Sequence, residues 1–168
     1  MSAEPSSVRD KPLKFSGDNT FHRELRRRVD AEFKRSGTKQ RDSAQMFLKT
    51  LVILSAFALT YVALVFFATR AWEGVLLSIV LGVATAGIGF NIMHDGGHQA
   101  YSQWRWINRL MAMTLDLVGG SSYLWQWKHG RFHHTWVNVA GHDADIDLGV
   151  LGRLSPLQPR RSWHRWQH

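Results

Sequence analysis

The sequence predicts an all-α membrane protein: a helical hairpin of two transmembrane helices, with amphipathic or interfacial helices at its cytoplasmic face. Three observations carry this. Residues 46–68 and 74–93 are two nearly unbroken apolar runs. Each matches the roughly 20 apolar residues that a helix needs to cross a bilayer. Basic residues crowd the N-terminal flank. Eight of the nine histidines follow residue 93, and five of them form two tight boxes, His94-Asp-Gly-Gly-His98 and His129-Gly-Arg-Phe-His133-His134.

The elements follow in order. Residues 1–20 are rich in Ser, Pro, Gly and Asp and read as a flexible leader with no signal-peptide core. Residues 21–168 read as the folded part. From 21 to 35, Phe21, Leu25, Val29 and Phe33 recur every fourth residue between arginines and lysines, a pattern of an amphipathic helix. That helix either lies on the membrane surface or packs on a soluble part of the same protein. Gly37 stands near its C-cap. The first span, 46–68, is broken only by Lys49 and a few Ser, Thr and Tyr. A short turn with an interfacial Trp72 leads to the second span, where Gly74, Gly82, Gly87 and Gly89 are placed to allow close helix approach.

Charge sets the expected orientation. Residues 1–45 carry eleven Lys and Arg, whereas the turn between spans carries only Arg70. The N-terminus is therefore expected in the cytoplasm, and a hairpin returns both histidine boxes to the same face. The net charge of +8 is explained by this flanking pattern and by anionic lipid, and no nucleic-acid module is recognisable. Residues 106–127 are apolar but interrupted by Arg109, Asp116 and Gly119-Gly120, and read as an interfacial or buried helix. A third full span would put the boxes on opposite sides of the membrane.

The boxes carry the chemistry. With no cysteine, thiolate metal sites and cysteine nucleophiles are excluded. On a helix, residues i and i+4 share a face, so His94 with His98, and His129 with His133, could each grip one metal. His134 points about 100° away from His133 and could reach a second ion. Neutral imidazole suits iron, copper and zinc. Five box histidines exceed the roughly three protein ligands of a catalytic zinc site. Asp95 and Asp116 are candidates to orient the imidazoles from behind, or else to cap helices. His164 and His168 form a third i,i+4 pair, open between ligation and a structural role. His22 and His142 read as ordinary histidines.

At these residues the chain resembles the integral-membrane fatty acid desaturases, more narrowly the bacterial acyl-CoA or acyl-lipid desaturases related to the front-end class. The resemblance rests on Gly87 to His98, Asn108 to Met111, Asp116 to Ser122, Trp127 to His134, Gly141 to Ile146 and Arg153 to His168. It implies a four-span fold, of which this chain would be half, with a cytoplasmic cap. It implies two iron ions held by His94, His98, His129, His133 and His134. Dioxygen would be the oxidant and a ferredoxin or cytochrome the electron donor. The substrate would be a fatty acyl-CoA or acyl-lipid in a membrane. Gly130 and the pair Trp136-Val137 depart from the usual Asn and Tyr-Thr beside the second box. The family also has a third histidine box after a second pair of spans. The expectation is therefore a truncated desaturase, inactive alone. A related di-iron hydroxylase acting on alkanes, sterols or carotenoids, and a non-catalytic remnant, are the alternatives.

Overall fold

A computed structural model describes residues 17–139, 141–156 and 158–167. The leader expected over 1–20 lies almost wholly outside them, as does His168. Among the described residues every regular element is helical. The chain divides into two compact units between Lys39 and Gln40.

The first unit holds α1, Thr20–Ser36. Asp18 receives the Thr20 N–H at 2.9 Å, and Gly37 ends the helix with φ 65°, a left-handed conformation that glycine adopts without a Cβ penalty. Glu24 pairs with Arg27 and Arg28, and Glu32 with Arg35, at three- and four-residue spacing. Such exposed pairs are screened by water and add little to stability. Phe21, Leu25 and Val29 are exposed on one face.

The second unit is built on the hairpin. Helix α2 spans Ala44–Phe66, with the Ser43 hydroxyl capping it by accepting the Met46 N–H at 3.2 Å. Helix α3, Ala71–Gly87, runs on through a π-helical segment, Ile88–Met93, into α4, His94–Gly97. Two helical stretches, of 23 and 27 residues, are long and apolar enough to cross a membrane. At about 1.5 Å per residue, each exceeds a hydrocarbon core of about 30 Å. Only 6% and 17% of their most apolar windows are buried. Core helices of a water-soluble protein would be mostly covered, so this apolar surface fits a membrane.

The boundaries differ slightly from the sequence reading. The first span begins and ends two residues earlier than expected. Helix α3 starts at Ala71, which puts Trp72 in its first turn. The cause is a cap: the Glu73 carboxylate folds back to accept the N–H groups of Thr69 at 2.9 Å and Arg70 at 3.0 Å. The helix of the second span continues past residue 93 to Gly97, so the first histidine box starts in its last turn and His98 caps it from outside. Of the four glycines expected to admit a neighbouring helix, Gly87 does so, since a Cβ there would meet Ile53 at 3.3 Å. Gly74, Gly82 and Gly89 face open space.

The region 105–125 forms no third span. It breaks into α5 (Arg105–Ala112), α6 (Thr114–Leu117) and α7 (Ser122–Trp125). Gly119, at φ 87°, turns the chain out of α6, and the Ser121 hydroxyl caps α7. A buried polar knot ties this region to the hairpin. The Asn108 side chain accepts the N–H groups of Tyr101 and Ser102 and donates to the carbonyls of Ser102 and Trp104. The Tyr101 hydroxyl donates to Thr50 on α2 at 2.7 Å, and Tyr101 is 1% exposed. Asp42, just before α2, accepts from the Ser102 hydroxyl and the Gln103 N–H.

Each member of this knot is satisfied by another, so removing one strands a buried partner. Tyr101→Phe should leave the Thr50 hydroxyl unpaired and cost about 1–3 kcal/mol. The check is thermal or denaturant unfolding of the detergent-solubilised chain, which should show a lowered midpoint with unchanged helicity.

Candidate metal centre

Two glycines bring the two boxes together. A Cβ on Gly96 would lie 2.7 Å from the Ala112 nitrogen, the Asn108 carbonyl and Met111. A Cβ on Gly97 would lie 2.2 Å from the Trp125 ring. Their bare backbones let α5 cross α4 and let Trp125 sit against the first box. Trp125 in turn stacks on His129, with ring centroids 4.5 Å apart and planes 24° from parallel.

The second box lies in a π-helical segment, Gln126–His133. The winding decides where its histidines point. On an α-helix, five residues advance the chain about 500°, which leaves His134 roughly 140° around from His129. In the π segment the His134 N–H reaches the His129 carbonyl. That five-residue step widens the turn and returns His134 to the same side as His129. The first box is presented similarly, with the His94 N–H donating to the Gly89 carbonyl. Within the first box the expected α spacing holds, the His98 N–H donating to the His94 carbonyl at 3.0 Å; in the second box π winding replaces it, and His134 lies with His129 and His133.

The result is a convergent imidazole cluster. The ligating nitrogens of His94, His98 and His129 lie within 4.8 Å of one another, and so do those of His129, His133 and His134. The His129 Nε2 is 3.1 Å from the His98 Nε2, and the His134 Nε2 is 3.4 Å from it. These separations match the edges of a coordination polyhedron with metal–nitrogen bonds of about 2.1 Å.

Carboxylates orient the rings from behind. The His129 Nδ1 lies 2.6 Å from Asp145, and the His133 Nδ1 lies 2.9 Å from Asp143. An ionised carboxylate only accepts, so each Nδ1 carries the proton and each Nε2 presents its lone pair to the cluster. Asp143 is itself held by the N–H groups of Asn138 and Asp145. Its burial works to raise its carboxyl, but the hydrogen bond from His133 and the two backbone N–H groups hold it below the usual range. Burial, then the neighbouring imidazoles of His94, His134, His129 and His133, push the His98 imidazole down to about 4. It is thus neutral near pH 7, the form that binds metal. The same two causes lower His134.

The structure places the other sequence candidates elsewhere. Asp95 sits 3.7 Å from Lys49 and 4.0 Å from the His94 Nδ1, beyond hydrogen-bond reach of the ring. It explains the lone lysine of α2. Asp116 accepts the Ser122 N–H at 3.2 Å and caps α7, and the Ser122 side chain and N–H hold it below the usual carboxylate range. His164 is buried in a short 3-10 helix with its Nδ1 accepting the Arg161 N–H, and it is not among the histidines whose nitrogens converge. His168 lies outside the described residues. The two aspartates that do face imidazoles, Asp143 and Asp145, went unassigned in the sequence. Their signals were an alternating acidic run shortly after the second box and their place in the stretch Gly141 to Ile146 that shares in the family resemblance.

Fold and cluster together define a helical protein whose apolar hairpin, long enough to cross a membrane, ends in a cluster of five imidazoles. Residues 70–168 match the fatty acid desaturase family, and the chain belongs to that family. It is 42% identical over 148 residues to an sn-1 linoleoyl-lipid 6-desaturase of Arthrospira platensis, covering 88% of this chain and 40% of that protein. It is 42% identical over 159 residues to the sn-1 linoleoyl-lipid 6-desaturase of Synechocystis sp., covering 92% and 43%. An acyl-lipid (8-3)-desaturase of Physcomitrium patens is 32% identical over 150 residues, covering 88% and 31%. The chain thus spans about two-fifths of the length of the first two relatives. No solved structure matches it.

Two outcomes follow. Asp145→Asn should weaken metal binding about 10- to 100-fold, as loss of such supporting carboxylates does, read by cobalt(II) titration in detergent with helicity unchanged. Gly97→Ala should force Trp125 off His129 and destabilise by about 1–3 kcal/mol, seen as a lowered unfolding midpoint together with weakened cobalt binding.

Proposed function

We propose that this chain is the part of an acyl-lipid desaturase that carries the first two histidine boxes of a di-iron centre. The observation that carries the reading is the convergence of imidazole lone pairs from both boxes, with two ring tautomers set by Asp143 and Asp145. The donor set is all imidazole, which iron accepts. His94, His98, His129, His133 and His134 would hold the ions. An imidazole has one lone pair to give, so His129 serves one ion at a time and the five rings divide three and two.

When bound, two iron ions supply the redox chemistry that couples dioxygen reduction to hydrogen removal. A –CH2–CH2– unit becomes –CH=CH–, and dioxygen leaves as two waters. Two electrons come from the substrate and two from an external ferredoxin or cytochrome. The chain's own share is positional. Trp125 and Gly97 fix the distance between boxes. Asp143 and Asp145 aim the rings. The first box ends a membrane-length helix, so an acyl chain in the bilayer meets the centre without leaving apolar surroundings. The names of the relatives favour an acyl group carried on lipid over one on coenzyme A. With eleven basic residues before the first span and one between the spans, the N-terminus and both boxes face the cytoplasm, and the chain crosses the membrane twice.

A complete desaturase reading frame that contains this chain as its part, expressed in a host supplied with linoleoyl lipids, should produce a fatty acid with one added double bond. Mass spectrometry of the lipid-derived methyl esters reads it, and His98→Ala or His133→Ala should abolish it. An unchanged profile would overturn the proposal. An added hydroxyl in place of a lost hydrogen pair would assign a hydroxylase.

A further inference from the structure

We infer that a cleft beside the histidine cluster binds a phosphate-bearing head group. The cleft has a volume of about 680 Å³ and is lined by Gly97, Gln99, Arg105, Trp106, Arg109 and Gln126. At about 100° per residue, α5 puts Arg105, Trp106, Arg109 and Leu110 on one side. All four are exposed, while Asn108 and Ala112, on the flank next to Arg105, are buried and Ile107 and Met111 are half-buried. Both arginines therefore lie on the open side of the helix, at the edge where it packs.

Neither guanidinium has an ion pair or hydrogen bond among the described residues, in contrast to Arg27, Arg28 and Arg35 on α1. Arg105 also occupies the first turn of α5, and that turn has no acidic residue. A cation there opposes the positive end of the helix dipole, and a bound anion relieves the opposition. Two arginines one turn apart offer planar forks that match phosphate oxygens. Gln99 and Gln126 add amide donors to the rim.

The surroundings point to a head group instead of a free ion. Trp104 and Trp106 are each 65% exposed and Leu110 is 53% exposed. Tryptophan beside arginine on an apolar-edged face is the chemistry of the membrane–water boundary, where lipid phosphates lie. The cleft also adjoins the cluster directly. Gly97 precedes His98, and Gln126 opens the segment that carries the second box. A phosphate held here places its attached acyl chain next to the imidazoles. That the phosphate belongs to the reacting substrate rests on the function proposed above, whereas phosphate binding itself does not.

The test uses the full chain in uncharged maltoside micelles, titrated with dihexanoyl-phosphatidylglycerol and, separately, with coenzyme A, by calorimetry. Saturable binding should weaken at least about tenfold in the Arg105→Gln/Arg109→Gln variant and stay unchanged in Arg160→Gln. Dependence on the two arginines for the lipid assigns the site to a membrane head group, and for coenzyme A to a soluble acyl carrier. Saturable binding of neither, or equal binding by the double variant, overturns the inference. Cobalt(II) titration of the same double variant should be unchanged, which separates failure at this cleft from failure at the histidines.

Discussion

The cluster depends on how closely two backbones approach at Gly96 and Gly97. Each glycine faces a different neighbour. At Gly96 the obstacle to any side chain is the α5 backbone, and at Gly97 it is the Trp125 ring. A ring can shift, but a packed helix backbone cannot without taking Asn108 with it. Asn108 ties the loop from Tyr101 to Trp104. Through Tyr101 and Thr50 that loop is bound to α2. The spacing of the boxes is thus inherited from the hairpin, by way of one glycine and one buried amide. Interiors pack densely enough that such a contact transmits displacement with little absorption.

Much of this was legible in the sequence. Uniform apolarity over two runs of sufficient length left little choice but a membrane hairpin, and the two histidine boxes stood out by clustering. The helical character of residues 21–35 followed from the spacing of Phe21, Leu25, Val29 and Phe33. The misses have a common physical origin, because each depends on a contact between parts distant in sequence or on a local winding that side-chain spacing does not encode. Asp143 and Asp145 meet His133 and His129 only after the chain turns back through Asn138 and Gly141, both at positive φ. Asp95 was open in the sequence between orienting an imidazole and capping a helix, and its ion pair with Lys49 on the other helix had no local signal. Three of the four span glycines looked like packing sites, yet face outward, since composition does not say which side of a helix meets a neighbour.

Polar groups are distributed unevenly along the hairpin. The middle of each span is apolar and uncovered, whereas the end that carries the first box is laced with buried polar contacts from Asp42, Thr50, Tyr101, Ser102 and Asn108. Apolar surface in lipid packs with little directional preference. Buried hydrogen bonds tolerate little misalignment and so specify one arrangement. The hairpin is therefore held loosely in its middle and firmly at the end where geometry matters for chemistry.

The π winding of Gln126–His133 has a consequence for how the gene can vary. A π turn holds one more residue than an α turn closed by the usual bond. Loss of a single codon anywhere between Gln126 and Phe132 that spared the histidines would let the remainder relax to α geometry. Every histidine would survive in the protein, and composition and hydropathy would scarcely change. If the lost residue lay between His129 and His134, those two would stand four apart, about 40° from each other on one α-helical face; if it lay before His129, they would stay five apart and stand about 140° around from one another in α geometry. The two sides of His129 thus differ in what they tolerate: the same one-residue loss keeps the pair together on one side and parts it on the other.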